Sequence, residues 1–416
     1  MATIQGQERK HESRPVNDRR LGWLDALRGV AALMVVFEHA LSPLFPEHRM
    51  PIKMVFEAGW YGVLVFFLVS GYIVPASLER RGSVPGFWIS RFFRLYPMFA
   101  VSVAGMALLA ALGWDALDGW WRTRPVALGL GHLTMLQNLF AMPNVVNVLW
   151  TLSFEMAFYL LLTAMYVLGV HRRGSRAALG FIAVAALGAG VLPSRLLTSA
   201  GPGEMLAVVL AVIALVSAGL LAVFSASGGV RRAGAIVIGL TVLTLLAVNQ
   251  NYPGPWEGLF ILATMFAGTV LYRAERAEIS WKRASWMALV PLAGIWLAGG
   301  RPGFQAAVVA AWLTFLIGMT LRNRKMPAPL TWLGLVSYSI YLLHPLFLES
   351  AQWFWPDPAG LSISVRLGIL AAVVALVLGL SALTWRFVEA PAQRLGKRLA
   401  GQWRGRREPV SGPSVR

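Results

Sequence analysis

The 416-residue sequence contains no cysteine, which excludes a disulfide framework, a thiolate nucleophile and a cysteine-held metal. Charge is scarce too: Asp, Glu, Lys and Arg make up 13% of the chain, against 57% hydrophobic residues and a mean hydropathy of +0.62. Soluble domains carry about 25% charged residues, so the solvent these figures describe is lipid. Acids are the scarcer sign, 19 against 37 Lys and Arg, which leaves a formal net charge of +18. In a soluble protein that excess would suggest nucleic acid. In a membrane protein it signals basic loops on one side. The sequence also lacks an internal repeat, a low-complexity tract and a soluble catalytic module.

What is present is a series of apolar runs from Leu24 to Trp385, broken by short polar stretches. At about 17 to 25 residues per crossing, the runs predict helices at Leu24–Pro43, Ala58–Ser77, Met98–Leu112, Trp150–Val170, Ala177–Leu192 and Met205–Phe224. A second half follows at Ala233–Val248, Trp256–Tyr272, Trp286–Leu297, Gly303–Leu321, Trp332–Phe354 and Val365–Phe387. The third and ninth are short, so the expected fold is all-α, a polytopic transmembrane helical bundle of about twelve (10–12) spans.

Basic residues alternate with these crossings. Of the 37 Lys and Arg, 30 fall in the N-terminal stretch, in every second connection or in the tail; the other seven are Arg49, Lys53, Arg122, Arg124, Arg195, Arg301 and Arg366. One missed helix would reverse the sign of every later loop, so the positive-inside rule predicts a cytoplasmic membrane protein with both termini cytoplasmic. No nucleic acid is needed to explain the charge. Residues 1–22 are expected to be a polar cytoplasmic extension, lacking the apolar core of a cleaved signal. Residues 23–390 form the membrane domain, and 391–416 a basic tail lying against anionic lipid.

The first predicted span, LDALRGVAALMVVFEHA, holds Asp25, Arg28, Glu38 and His39. Ionisable groups in lipid are costly and belong on the protein's interior. Arg28 and His39 are eleven residues apart, within about 20° of three whole turns and about 16.5 Å along the axis. One helix face therefore carries both. Asp25, one turn from Arg28, can pair with it. A cation near one end and an imidazole halfway across could hold an anionic donor and do proton chemistry. The bland alternative is a positive-inside anchor and a structural histidine.

Other polar stripes lie further on. In WISRFFRLYP, Arg91 and Arg94 are three apart among aromatics. Two guanidiniums on one face suit a phosphate, although such a segment also serves as an interfacial lipid anchor. LWTLSFEMAFYLLL aligns Thr151, Glu155 and Tyr159 on one face, and His39 is one candidate partner for the Glu155 carboxylate, which would place both in a catalytic pair. LGLVSYSIYLLHPLF aligns Ser337, Tyr341 and His344. Such stripes also glue helices together; assembled, they would make one buried polar site.

These motifs resemble the acyltransferase 3 family of integral membrane acyltransferases, which O-acylate cell-envelope glycans, lipids and some antibiotics. The likeness runs from Leu24 to Pro391 and is sparse in the middle third. Arg28 and His39 match an Arg-x10-His spacing; Phe66, Phe67, Ser70 and Gly71 a Phe-Phe-x-x-Ser-Gly motif; Arg91 and Arg94 an Arg-x-x-Arg motif. Trp150, Ser153, Glu155 and Tyr159 match Trp-x-Leu-Ser-x-Glu-x-x-Phe-Tyr; SYSIYLLH carries Tyr341 and His344; and RFVEAP matches Arg-x-x-Glu-x-Pro. Leu64 stands where the family often has an acid, and Met156 and Ala157 replace a frequent polar pair.

The resemblance implies His39 as catalytic base, Arg28 holding the acyl donor, and Arg91 with Arg94 binding donor phosphates. The donor would be acyl-CoA, with acetyl-CoA expected first, and no metal is called for. Asp25, Ser70, Trp150, Tyr159, Tyr341 and His344 would support substrate or structure. The acceptor would be a hydroxyl of a carbohydrate, a lipid-linked glycan or a natural product. Trp120, Trp121, Trp256 and Asp115 in the outer loops could stack on and bond a sugar, or serve as interface anchors. Two other classes stay open, a secondary transporter and an acyl carrier or flippase without covalent chemistry. The high Ala, Gly and Arg content suits a GC-rich bacterial source.

Overall fold

The computed structural model describes residues 22–113, 119–188, 191–199, 201–250, 252–297, 300–354 and 357–405, and every regular element among them is helical. The long helices are α1 (Gly22–Leu44), α3 (Ala58–Arg81), α4 (Val84–Ala111), α7 (Trp150–Val167), α8 (Gly174–Gly188), α9 (Pro202–Val223), α10 (Gly228–Val248), α11 (Pro255–Glu275), α12 (Trp281–Leu297), α13 (Pro302–Thr320), α14 (Ala328–Phe354) and α15 (Ile363–Thr384). Each coincides with one predicted segment. The four others are α2 (Pro46–Val55), α5 (Trp120–Thr123), α6 (Pro125–Leu133) and α16 (Ala390–Gly405).

Nine helices among the described residues are long and apolar enough to cross a membrane. Outside that nine stand α8 and α12, of 15 and 17 residues, and α1, which carries Asp25, Arg28, Glu38 and His39. The chain is thus a polytopic helical bundle. The predicted third span is longer than its apolar run: α4 has 28 residues and takes in the Arg91/Arg94 segment, which is one continuous helix with the span. The Ser83 hydroxyl starts it, accepting from the Gly86 N–H at 3.3 Å.

Helices α3, α7 and α11 are buried over most of their length, while α4, α9, α10 and α15 turn most of their apolar surface outward. That inversion of the soluble pattern is what lipid permits. The centre is held by close approach of small residues. An added Cβ on Gly334 would stand 1.8 Å from the Asp25 carbonyl oxygen, and one on Gly62 would stand 2.5 Å from that of Ala31. These contacts clamp α1 between α3 and α14.

Residues 1–21 and 406–416 lie outside the described residues. The intervening part of the expected tail is not extended chain. It forms α16, which follows a π-helical turn at Trp385–Glu389 and packs on α4.

Candidate active site

Three adjoining cavities are arranged along α1. A basic cavity of about 500 Å³ is lined by Arg28, Arg80, Arg81, Arg91, Arg94 and Lys397, with Asp25, Glu155 and Glu389 among them. A cavity of about 490 Å³ at the other end is lined by His39, Lys53, Glu57, Trp60, Trp150 and Tyr252. Between them lies a waist of about 70 Å³. The waist shares Arg28, Ser70, Arg94 and Glu155 with the basic cavity, and Val63 and Tyr341 with the aromatic one.

Helix α1 supplies a functional group at each end of this path, as its eleven-residue spacing predicts. The His39 Nδ1–H donates to the Val35 carbonyl at 2.9 Å. In the neutral ring that bond leaves Nε2 as the acceptor. Edge-on to this ring is His344, with centroids 4.9 Å apart and planes at 70°. His344 is fully buried; its Nδ1–H bonds the Ile340 carbonyl at 3.0 Å, and its Nε2 has no hydrogen-bond partner.

At the waist, the Tyr341 hydroxyl and Thr151 Oγ1 are 2.9 Å apart, and Tyr341 also lies 3.2 Å from the Val148 carbonyl it donates to. Phe66 meets the Tyr341 ring edge to face at 5.7 Å. Ser70 lines both the waist and the basic cavity.

In the basic cavity Asp25 and Arg28 form an ion pair at 3.7 Å. An Arg91 Nη2–H reaches Ser77 Oγ at 3.3 Å, and its guanidinium stands 5.5 Å from the ring centroids of both Phe87 and Tyr159. The Tyr159 hydroxyl donates to Glu155. Glu389 accepts from Ser339 at 3.0 Å and from Gln393 at 2.9 Å, so it ties α14 to α16.

The structure separates two residues that sequence reasoning paired. Glu155 lies in the waist and basic cavity with Arg28 and Arg94, whereas His39 lines the aromatic cavity. Periodicity on one helix does not fix which neighbouring helix a side chain meets. Of the residues expected to contact an acceptor, Asp115 lies outside the described residues. Trp120 stacks under Arg124 at 4.1 Å, Trp121 packs on His132, and Trp256 stacks on Phe260. The aromatic wall of the cavity beside His39 is built instead from Trp60, Trp150 and Tyr252, with 5.6 Å between the rings of Trp150 and each of the other two.

Sequence reasoning missed Tyr252, Arg49 and Lys53. Lys53 Nζ lies 2.9 Å from buried Glu38 on the cavity wall. A signal was available: Arg49 and Lys53 are among the seven basic residues that break the alternation of charge. No group of three or more His, Asp or Glu side chains able to hold a metal occurs among the described residues.

This row of cavities, arginine-lined at one end and histidine-lined at the other, sits in a chain that belongs to the acyltransferase 3 family, whose acyltransferase domain matches residues 21–386. Nodulation protein 10 of Rhizobium leguminosarum bv. viciae is 25% identical over 415 residues, covering 91% of this chain and 95% of that protein. Acyltransferase MdmB of Streptomyces mycarofaciens is 31% identical over 159 residues, 35% of this chain and 39% of that one. The peptidoglycan O-acetyltransferase OatA of Listeria monocytogenes is 26% identical over 159 residues, 33% of this chain and 23% of its own length. No solved structure matches the chain. The protein is an acyltransferase of the membrane.

Proposed function

We propose that the chain moves an acyl group from acyl-CoA, held in the basic cavity, to a hydroxyl of an acceptor in the aromatic cavity, with His39 as general base. One observation carries this reading: Arg28 and His39 share a face of α1 and line the two cavities that adjoin one narrow waist from opposite ends. Six cations suit the phosphates of coenzyme A, and the narrow waist suits its thin pantetheine arm and small acyl thioester but not its nucleotide end.

A hydroxyl is a poor nucleophile near neutral pH. His39 Nε2 takes its proton as the oxygen attacks the thioester carbon. The tetrahedral intermediate then breaks its C–S bond, an ester forms, and coenzyme A leaves as a thiol after taking up one proton. The Nδ1–H bond to Val35 sets Nε2 as the acceptor in the neutral ring, and the proton Nε2 takes up is the one it returns to the departing sulfur.

The ring wall of Trp60, Trp150 and Tyr252 favours a sugar-bearing acceptor, since aromatic faces stack on the apolar faces of pyranoses. The naming of one relative as a peptidoglycan O-acetyltransferase agrees with that class. The positive-inside rule orients the basic cavity to the cytoplasm and the aromatic cavity to the opposite face. Both described ends of the chain, α1 and α16, line the basic cavity.

The test is release of free coenzyme A by protein in nanodiscs, wild type against His39→Ala. Turnover stimulated by a hydroxyl acceptor should fall about 10²- to 10⁴-fold in the variant, with donor binding retained. Equal turnover in both proteins removes His39 from the reaction. Solute movement across vesicles without coenzyme A release replaces this reading with a transporter.

A further inference from the structure

The basic cavity has cations at two depths. Arg28 and Arg94 stand deep, beside the waist. Arg80, Arg81 and Lys397 stand at the mouth. On α3 the distance between these levels is the eleven residues from Ser70 to Arg81, about 16.5 Å of helix. Acyl-CoA likewise carries phosphate in two places: the pyrophosphate in mid-molecule and the 3′-phosphate on the ribose at the end away from the thioester.

Helix α16 supplies the mouth level's cation from outside α3, and α4 adds Ser90, which accepts from Arg81 at 3.0 Å. Gln393 and Lys397 are four residues apart and line the cavity from one face of the helix. The helix is fixed in place. An added Cβ on Gly396 would stand 2.6 Å from Phe93 Cβ, and one on Gly86 would stand 3.3 Å from the Ala400 carbonyl oxygen, so α16 and α4 pack backbone to side chain. Gln393 donates to buried Glu389 at 2.9 Å, which anchors the turn that aims the helix. Lys397 itself is exposed and makes no ion pair or hydrogen bond among the described residues. It is a cation held at a cavity mouth without a counter-charge.

We propose that Lys397 on α16, with Arg80 and Arg81 at the end of α3, forms the subsite for the donor's terminal 3′-phosphate. This rests on the acyl-CoA reading above and deepens it. With the thioester directed through the waist toward His39, the pyrophosphate meets the deep arginines and the ribose phosphate is left at the mouth. The basic stretch after Glu389 then selects the donor, in addition to any contact with lipid.

The experiment compares acetyl-CoA with acetyl-dephospho-CoA, which lacks only the 3′-phosphate, as donors for wild type, Lys397→Gln and Lys397→Arg in nanodiscs of one fixed composition. Wild type should prefer acetyl-CoA in KM. Lys397→Gln should raise the acetyl-CoA KM about three- to fivefold at unchanged kcat, leave the dephospho donor's KM unmoved, and show a smaller change as salt is added. Lys397→Arg should restore the preference. If Lys397→Gln keeps the wild-type preference, or raises both KM values equally, the subsite is wrong while the donor reading stands. If wild type binds and uses neither donor, the acyl-CoA reading falls and takes the subsite with it.

Discussion

Gly71→Ala adds one methyl group where two helices cross, and the structure gives the size of the consequence. The new Cβ on α3 would stand 1.9 Å from the Met265 carbonyl oxygen of α11 and 2.7 Å from its carbonyl carbon. These are backbone atoms, so no side chain can rotate out of the way. Widening the approach from 1.9 to an ordinary 3.4 Å contact parts the two helices by about 1.5 Å. It also stretches the bond, now 2.9 Å, from Thr269 Oγ1 to the Gly71 carbonyl. Overpacking costs about 1–3 kcal/mol, and a backbone-to-backbone clash belongs at the upper end. Ser70, next in the chain, lines the waist, so the displacement reaches the reaction path. A misplacement of about 1 Å can cost 10²-fold in rate. The expected result is a lower thermal midpoint in detergent together with a kcat reduced by about two orders of magnitude. Gly180→Ala, with nothing within 4 Å of the added Cβ, is the control and should match wild type. A Gly71→Ala protein with wild-type midpoint and turnover would refute this packing argument.

Arg273 is 3% exposed and bonds both Glu79 and Glu278; Arg273→Leu should leave two acids facing each other and lower stability by about 3 kcal/mol, read by thermal unfolding. Arg94→Gln should raise the donor KM about 10- to 100-fold, with the difference shrinking as ionic strength rises. Trp150→Ala should raise the KM of a glycoside acceptor about tenfold and leave the donor KM alone; a change in the donor KM instead would place Trp150 on the wrong end of the path.

The helices of the bundle were legible because lipid demands long apolar runs, and all twelve segments reappear as helices, nine of them long and apolar enough to cross a membrane. The other helices were not. Helix α2 has ten residues and none of them buried, too short and polar for a span, and α16 is read from sequence as a charged tail because Arg394, Lys397 and Arg398 mask the short apolar face that packs on α4. Within the site, residues related by helical spacing were legible: Arg28 with His39, Arg91 with Arg94, Thr151 with Glu155 and Tyr159. Contacts between helices were not. The meeting of His39 with His344, of Tyr341 with Thr151 and of Ser339 with Glu389 depends on how α1, α7, α14 and the π-helical turn pack. No one-dimensional pattern encodes those pairings. The ring wall beside His39 was not legible for the same reason, since Trp60 and Trp150 open two different helices and are brought together only by the bundle.

A waist of about 70 Å³ is room for about two molecules of liquid water. On the proposed reading that constriction is also an insulator. A membrane across which an acyl group must pass is a membrane whose voltage and proton gradient must not drain through the same opening. A donor threaded through so small a gap is its own plug, and the Phe66 and Tyr341 rings that meet edge to face at 5.7 Å wall it in. The energy for the crossing can then come entirely from the thioester bond. The protein would export acyl groups without importing an ion in exchange.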